Sequence, residues 1–173
     1  MRQKRITILL VALVVGASAT PALAHDHRSP RVVLRSHGEK QRAQVWSSDW
    51  TTRQGKFCST GIGDGIPNYR RRAMEWNPNN PLHLYLYKRQ KPKNVKVRVH
   101  RRLGNDGFPE GRGRRVQVDV RRKILDNGRR IRVADFRLPD RRRFYVDARA
   151  VWRDVEGCGG SQSLDMVFHI RRK

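Results

Sequence analysis

The residues with the best-defined potential for chemistry are His25, Asp26 and His27, which follow a predicted signal-peptidase site at Ala24. Cleavage there would leave a free α-amine at His25 and an imidazole two residues later, at His27. The amine, two deprotonated backbone amides and that imidazole supply four nitrogens in one plane, the geometry that Cu(II) and Ni(II) favour. The motif therefore predicts copper as one alternative, and a polar tail without metal as the other.

His25 also offers a second mode of copper binding, through its own amine and its own ring. This arrangement is the histidine brace of secreted copper-dependent oxidative enzymes, and it needs a further histidine from the chain. The histidines available for that position are His37, His83, His100 and His169. A secreted copper-binding protein or copper-dependent oxidative enzyme is therefore one alternative function, although likeness at the level of fold alone is a weak argument.

Two tyrosines form a second candidate site. Tyr85 and Tyr87 alternate with Leu82, Leu84 and Leu86, and a period of two places the two sets on opposite faces of a strand. If the tyrosine face is open to solvent, it is a platform on which sugar rings can stack. A carbohydrate-binding module is thus another alternative function, and burial of both tyrosines at the core or its rim is the competing interpretation.

Motifs of known catalytic classes are absent from the sequence. It contains no Gly-x-Ser-x-Gly elbow, no His-Glu-x-x-His and no P-loop. The glycine-rich run from Gly61 to Gly65 lacks the strand-then-helix setting of a nucleotide loop and the repeated carboxylates of a calcium loop. We therefore expect a non-enzymatic protein without a cofactor, copper being the alternative.

Charge gives the leading functional hypothesis. The chain has 39 Lys and Arg against 15 Asp and Glu, a net charge of +24, and such a field attracts polyanions. The basic residues gather in short runs, and the predicted polyanion-binding residues are Arg70, Arg71, Arg72, Arg141, Arg142 and Arg143. The expected partners are anionic cell-envelope or extracellular polymers, with no specific nucleic acid. The competing interpretation is that the arginines serve solubility or reflect coding bias.

The N-terminus predicts export. Three basic residues within the first five precede an apolar run over residues 6–17, and small Ala22 and Ala24 follow at the spacing that signal peptidase reads. The run falls short of the length that spans a bilayer. We expect residues 1–24 to be a signal peptide, the protein to be secreted or in the cell envelope, and no transmembrane segment after cleavage.

Cysteine usage agrees with export. Cys58 and Cys158 are the only two cysteines, and in an oxidising compartment they are expected to form a disulfide. That bridge would close a loop of about 100 residues, for which the chain-entropy model gives about 4–5 kcal/mol of stabilisation.

The elements that must carry these residues are strands. Beyond the leucines of 82–86, apolar residues recur at every second position. These sets are Val95, Val97 and Val99; Val116, Val118 and Val120; Phe144, Val146, Ala148, Ala150 and Trp152; and Leu164, Met166, Phe168 and Ile170. The pattern predicts an all-β antiparallel β-sandwich, immunoglobulin-like or jelly-roll-like, of about eight or nine strands. The four tryptophans, including Trp46, are expected to be packing residues.

The predicted domain organisation has three parts. Residues 1–24 form the signal peptide, residues 25–42 an N-terminal arm or first strand, and residues 43–173 the cationic sandwich domain. The oligomeric state is left open by the sequence.

Four local predictions follow from the turn-forming residues and from the alternation of apolar residues. Asn127-Gly128 predicts a hairpin with a type I′ turn. A change of apolar phase near Ala134-Asp135 predicts a β-bulge. A short helical turn is expected around Tyr69 to Trp76, and a loop over Ser59 to Pro67.

Overall fold

The structure is a computed structural model that describes residues 30–52, 54, 57–62, 67–139, 141–154 and 159–173, with the backbone alone for 57–62. In these residues the chain is all-β, and none of them forms a helix long and apolar enough to cross a membrane. The strands are β1 (Val32–Ser36), β2 (Glu39–Arg42), β3 (Gln44–Thr51), β4 (Phe57–Ile62), β5 (Met74–Trp76), β6 (Leu82–Leu86), β7 (Asn94–His100), β8 (Arg114–Val116), β9 (Val118–Ile124), β10 (Arg130–Phe136), β11 (Arg143–Arg153) and β12 (Ser161–Arg172).

The strands form two sheets. One has the order β2-β1-β6-β10-β9, and the other has the order β4-β3-β12-β11-β7-β8, with β5 added in parallel beside β12. Every other pairing is antiparallel. Two of the changes of sheet along the chain take a single residue, Ala43 and Gln117, so Val116 and Val118 belong to different sheets instead of one predicted strand.

One apolar core lies between the sheets. The inward leucines of β6 are fully buried, and so are the large rings of Trp76, Phe144, Trp152 and Phe168. Side chains of both sheets belong to the same cluster, which is the packing of a β-sandwich. The two-sheet antiparallel fold predicted from the alternation is confirmed.

The prediction of eight or nine strands is too low, because twelve lie in the described residues. The strands that the pattern does not reveal are short. β2 (Glu39–Arg42) has no apolar residue, and β8 (Arg114–Val116) has one. A period of two cannot be recognised in three or four mostly polar residues.

The bulge predicted at Ala134-Asp135 is wrong. β10 keeps a continuous register with both β6 and β9. The change of phase has another cause: Ala134 and Phe136 face the core, whereas Ile131 and Val133 pack on the opposite face with Tyr85. A central strand that is covered on both faces carries apolar residues of both parities.

The helical turn expected around Tyr69 to Trp76 is also wrong, because Met74–Trp76 is a strand that pairs in parallel with β12. The loop expected over Ser59 to Pro67 is wrong in its first part, because β4 continues to Ile62. β5 has three residues, too few to show an alternation of apolar and polar positions. β4 contains Gly61, a residue type that usually indicates a loop.

The hairpin predicted at Asn127-Gly128 is confirmed, since it joins β9 to β10. Its turn differs in type. Gly128 has a φ of +75°, whereas Asn127 does not have a positive φ. The Gly128 amide donates to the Leu125 carbonyl at 2.8 Å, and the Leu125 amide donates to the Arg129 carbonyl at 2.9 Å. This is a type I turn followed by a bulge glycine, the usual three-residue hairpin loop.

Candidate anion-binding site

A basic cleft lies where β11 begins and β12 ends. Arg143 of β11 is the direct cross-strand neighbour of Arg171 of β12. The Arg172 amide donates to the Arg142 carbonyl at 2.8 Å, which holds Arg142 beside the same strand end. Together these residues line a cavity of about 700 Å³, and its lining residues within the described part of the chain, Arg142, Arg143, Arg171, Arg172 and Lys173, are all basic. We call this cavity the basic cleft.

The second predicted arginine run lies at the same end of the sandwich. His169 Nδ1 donates to the Arg71 carbonyl at 2.8 Å. Gln41 joins the two segments, because its Nε2 donates to the Arg72 carbonyl at 2.6 Å and its Oε1 accepts from the His169 amide at 3.3 Å. Arg70 extends a guanidinium nitrogen to within 3.4 Å of the Asn105 carbonyl. The structure thus brings Arg71, Arg72 and Arg143, from two runs about seventy residues apart, close to His169. Arg141 is exposed and does not line the basic cleft.

The pKa of His169 is sensitive to the positive charges of the cleft. Burial lowers the pKa of its imidazole, and the guanidinium groups of Arg143 and Arg171 lower this pKa further, while the hydrogen bond to Arg71 opposes them. The ring stacks on Tyr145 with 4.9 Å between the ring centroids. The imidazole is therefore held neutral beside the cations, with its second nitrogen buried and without a described partner.

Within the described residues, the Glu75 carboxylate pairs with one cation of the cleft, at 2.8 Å from Arg171. Both side chains are more than one third exposed, and exposed ion pairs of this kind contribute little because solvent and salt screen them. The described residues of the cleft therefore keep a net positive charge, and guanidinium groups such as those of Arg142 and Arg143 can donate to anions.

A second basic concavity lies at the opposite end of the sandwich. Arg89, Arg129 and Arg130 line it together with Gly128, with a volume of about 490 Å³. The neighbouring Gln90 side chain donates to the carbonyl of Arg153, the residue at the far end of β11 from Arg143. We call these three arginines the distal cluster, and they make a natural control for the cleft.

The two candidate tyrosines lie on the outer face of the five-stranded sheet, covered by cations. Tyr85 is 7% exposed, with the Lys123 ammonium 5.1 Å and the Arg35 guanidinium 4.8 Å from its ring centroid. Lys123 also donates to the Tyr85 hydroxyl at 2.9 Å. The Arg129 guanidinium lies 5.7 Å from the centroid of Tyr87. A sugar ring would have to displace these cations before it could lie flat on either tyrosine.

The candidate copper ligands His25 and His27 lie outside the described residues. Of the histidines that could complete a brace, His83 Nδ1 lies 2.6 Å from an Asp135 carboxylate oxygen and His100 Nε2 lies 2.9 Å from Asp147. In the described ranges, no three His, Cys, Asp or Glu side chains are grouped so as to hold a metal ion. The copper site stays a prediction.

The structure does not test the predicted disulfide either. Cys158 lies outside the described residues, and of Cys58 the backbone alone is described, in β4. The Cys58–Cys158 bridge therefore stays a prediction.

No protein-family model matches this chain, no curated protein is significantly similar to it, and no solved structure matches it significantly. Its function therefore has to be argued from the chemistry of its own sites.

Proposed function

We propose that this protein is a secreted, non-enzymatic β-sandwich that binds anionic polymers of the cell envelope or the extracellular space through the basic cleft. The observation that supports the proposal most strongly is the cavity itself, since all five of the described residues that line it are basic. Arginine is suited to this task, because its planar fork of donors matches carboxylate, phosphate and sulfate groups in pairs.

A polymer fits the cleft better than a single small anion. Each exposed cation gains little from one ion pair in water, whereas a chain of anionic groups can contact several cations at once and release their counterions together. The Arg70–Arg72 run lies beside the cleft through the contacts of Arg71 and Arg72. The net charge of +24 adds a long-range attraction that raises the rate of encounter.

Export supports the choice of polymers, since a secreted protein meets wall polymers and acidic polysaccharides. The leader over residues 1–24 is the basis of this part of the proposal. Determining the N-terminal residue of the protein recovered outside the cell tests it. A start at His25 is the expected result, and retention of the leader in a membrane would contradict it.

We also propose an immunoglobulin-like or jelly-roll-like connectivity for the sandwich. Its support is that several neighbours within the sheets are distant in sequence, as in β1 beside β6 and β3 beside β12, a feature of Greek-key sandwiches. An experimental structure of the complete secreted chain would test this connectivity strand by strand.

The test of binding compares two triple variants with the same loss of charge. One replaces Arg142, Arg143 and Arg171 of the cleft by Gln, and the other replaces the distal cluster Arg89, Arg129 and Arg130 by Gln. Affinity for dextran sulfate and for poly-glutamate is measured over a range of salt concentrations. We expect the cleft variant to bind much more weakly and with a shallower dependence on log salt than the distal variant.

Equal losses in the two triple variants would contradict a binding site at the cleft, because they would show that the charge acts diffusely over the surface. Binding by the unmodified protein that persists unchanged at high salt would contradict an electrostatic mechanism altogether.

A further inference from the structure

β3 (Gln44–Thr51) carries a β-bulge opposite the middle of β12. Val45 pairs with Met166 and Ser47 pairs with Asp165, so the intervening Trp46 has no partner on β12. β3 thus has one more residue than β12 between these two pairs, which defines a β-bulge. Bulges re-aim side chains and are enriched next to functional sites.

The bulge changes the face on which Trp46 lies. A period of two would turn Trp46 toward the core together with Ser48 and Trp50, which are 0% and 3% exposed. Trp46 instead is 38% exposed, and Val45 packs against the core. An exposed indole placed by a local irregularity differs from the packing residue that the sequence predicts.

Trp46 lies at the edge of a cavity of about 310 Å³ on the outer face of the seven-stranded sheet. In the part of the chain that the structure describes, its other polar and charged lining residues are Tyr69, Asp147, Asp165, Lys96, Arg98 and Arg149. The volume lies at the small end of the range for small-molecule sites. The cavity thus combines one aromatic face with hydrogen-bonding groups of both signs.

Asp147 is held rigidly at this cavity. The Tyr69 hydroxyl donates to Asp147 Oδ1, and His100 Nε2 donates to Oδ2 at 2.9 Å. His100 is 5% exposed and packs directly on Gly113, where an added Cβ would meet its ring at 2.5 Å. A carboxylate fixed by two partners loses little freedom when a ligand binds to its remaining lone pairs.

The described neighbours of Asp165 do not saturate its hydrogen-bonding capacity. Arg149 Nε lies 3.8 Å from Asp165 Oδ1, which is too long for a hydrogen bond. Arg149 is also the cross-strand neighbour of Lys96, so a cation of the cavity faces another cation. A ligand that has both donors and acceptors can therefore donate to the carboxylate and accept from these cations.

We infer that this cavity binds a neutral, hydroxyl-rich sugar ring that stacks on Trp46 and hydrogen-bonds to Asp147, Asp165 and the adjacent cations. Sugar hydroxyls both donate to carboxylates and accept from guanidinium and ammonium groups. A neutral ligand that offers both donors and acceptors satisfies the carboxylates and the cations Lys96, Arg98 and Arg149 together, which a purely anionic or purely cationic group cannot do. The inference goes beyond the proposed function and does not depend on the basic cleft.

The test titrates the complete secreted protein with neutral oligosaccharides at high salt, where polyanion binding is suppressed. The probes are the soluble hexaoses of cellulose, chitin, starch and mannan, followed by calorimetry and tryptophan fluorescence. We expect at least one probe to bind with a Kd below about 1 mM. Trp46→Ala should weaken this binding by about tenfold or more, because the stacking face is lost.

Two control variants separate the sugar site from other effects. Ile124→Ala removes another exposed apolar side chain, 54% exposed on the other sheet, and should leave the affinity unchanged. The triple cleft variant of Arg142, Arg143 and Arg171 should also bind the sugar normally, so the two proposals fail independently. Trp46→Phe retains a ring and should recover part of the affinity lost in Trp46→Ala.

Two outcomes would overturn the inference. The first is that none of the four probes binds to the unmodified protein. The second is that Trp46→Ala and Asp165→Asn, both folded by circular dichroism, bind as tightly as the unmodified protein. If Trp46→Ala did not fold, Trp46→Phe and Asp165→Asn would decide the question, and unchanged affinity in both would contradict the site.

Discussion

Arg143 and Arg171 face each other directly across β11 and β12. Like charges at such positions repel, and the flanking Phe144 and Ile170 are anchored in the core, so the two arginines share the outer face. Among the described carboxylates, Glu75 pairs with Arg171 and not with Arg143. The fold therefore holds two guanidinium groups together at some expense of stability, an arrangement that a bound anion would relieve.

The Arg143–Arg171 repulsion predicts that Arg143→Gln raises stability while it weakens polyanion binding. We expect the free energy of unfolding at low salt to rise by roughly 0.2–0.5 kcal/mol, and high salt to remove the gain. Chemical denaturation checks this. Arg153→Gln is the matched control, because Arg153 lies opposite the uncharged Ser161 on the same strand pair. A clear loss of stability in Arg143→Gln would contradict the repulsion.

The neutral imidazole of His169 predicts an acid-dependent loss of stability. Burial first, and then Arg143 and Arg171, lower its pKa in the fold, whereas the unfolded chain takes up the proton near pH 6.5. The unfolded state therefore binds more protons below that pH, and stability falls as pH decreases through this region. His169→Gln, which does not titrate, should lose less stability between about pH 7.5 and 5.5. Parallel pH profiles from urea denaturation would contradict the prediction.

The partly buried carboxyl of Asp165 predicts the opposite dependence of stability on pH from that of His169. Burial chiefly, and then Asp49 and Asp147, raise its pKa against the lowering by Arg149. The folded state holds this proton to higher pH than the unfolded state, so the contribution of Asp165 to stability declines as pH rises past the ordinary carboxyl range.

Asp165→Asn should therefore be more stable relative to the unmodified protein at neutral pH than at about pH 3, where the carboxyl is protonated in both states. Thermal unfolding of both proteins across this pH range measures the difference. A variant that is less stable at neutral pH and equal in acid would show that the Arg149 attraction outweighs the effect of burial.

The contact between His100 and Gly113 predicts a large effect from one methyl group. Gly113 has a φ of +65°, and an added Cβ would approach the His100 ring to 2.5–2.9 Å. Gly111 has a similar φ of +70° with no atom within 4 Å of such a Cβ. Both Ala variants lose about 1–2 kcal/mol from the left-handed backbone, and Gly113→Ala should lose a further 1–3 kcal/mol from overpacking. Equal losses by chemical denaturation would contradict the His100 contact.

Much of the fold could be predicted from the sequence because long strands repeat their apolar residues many times. Phe144 to Trp152 and Leu164 to Ile170 give enough periods to identify the inward face, and both faces are as predicted. Short strands are harder to predict: β5 depends on pairing with the distant β12, and β2, a polar edge strand, depends on its hairpin pairing with β1. Those contacts override local propensity and leave no pattern to read.

The sites were less predictable than the fold. Runs such as Arg141 to Arg143 are visible in the sequence, but their meeting with Arg171 depends on the β11–β12 register. The run from Arg171 to Lys173 was a usable signal, since it continues an alternating strand into three basic residues. The exposure of Trp46 was not predictable, because it depends on a bulge between β3 and β12 that has no local sequence signature.

The most direct test of the basic cleft is the pKa of His169, measured by NMR with and without saturating dextran sulfate. Polyanion seated on Arg143 and Arg171 neutralises the charges that lower this pKa, so we predict that the pKa rises on binding. The distal-cluster variant should show the same rise, and the triple cleft variant should lose it. An unchanged pKa of His169 in a protein fully bound to the polymer would contradict binding at the cleft.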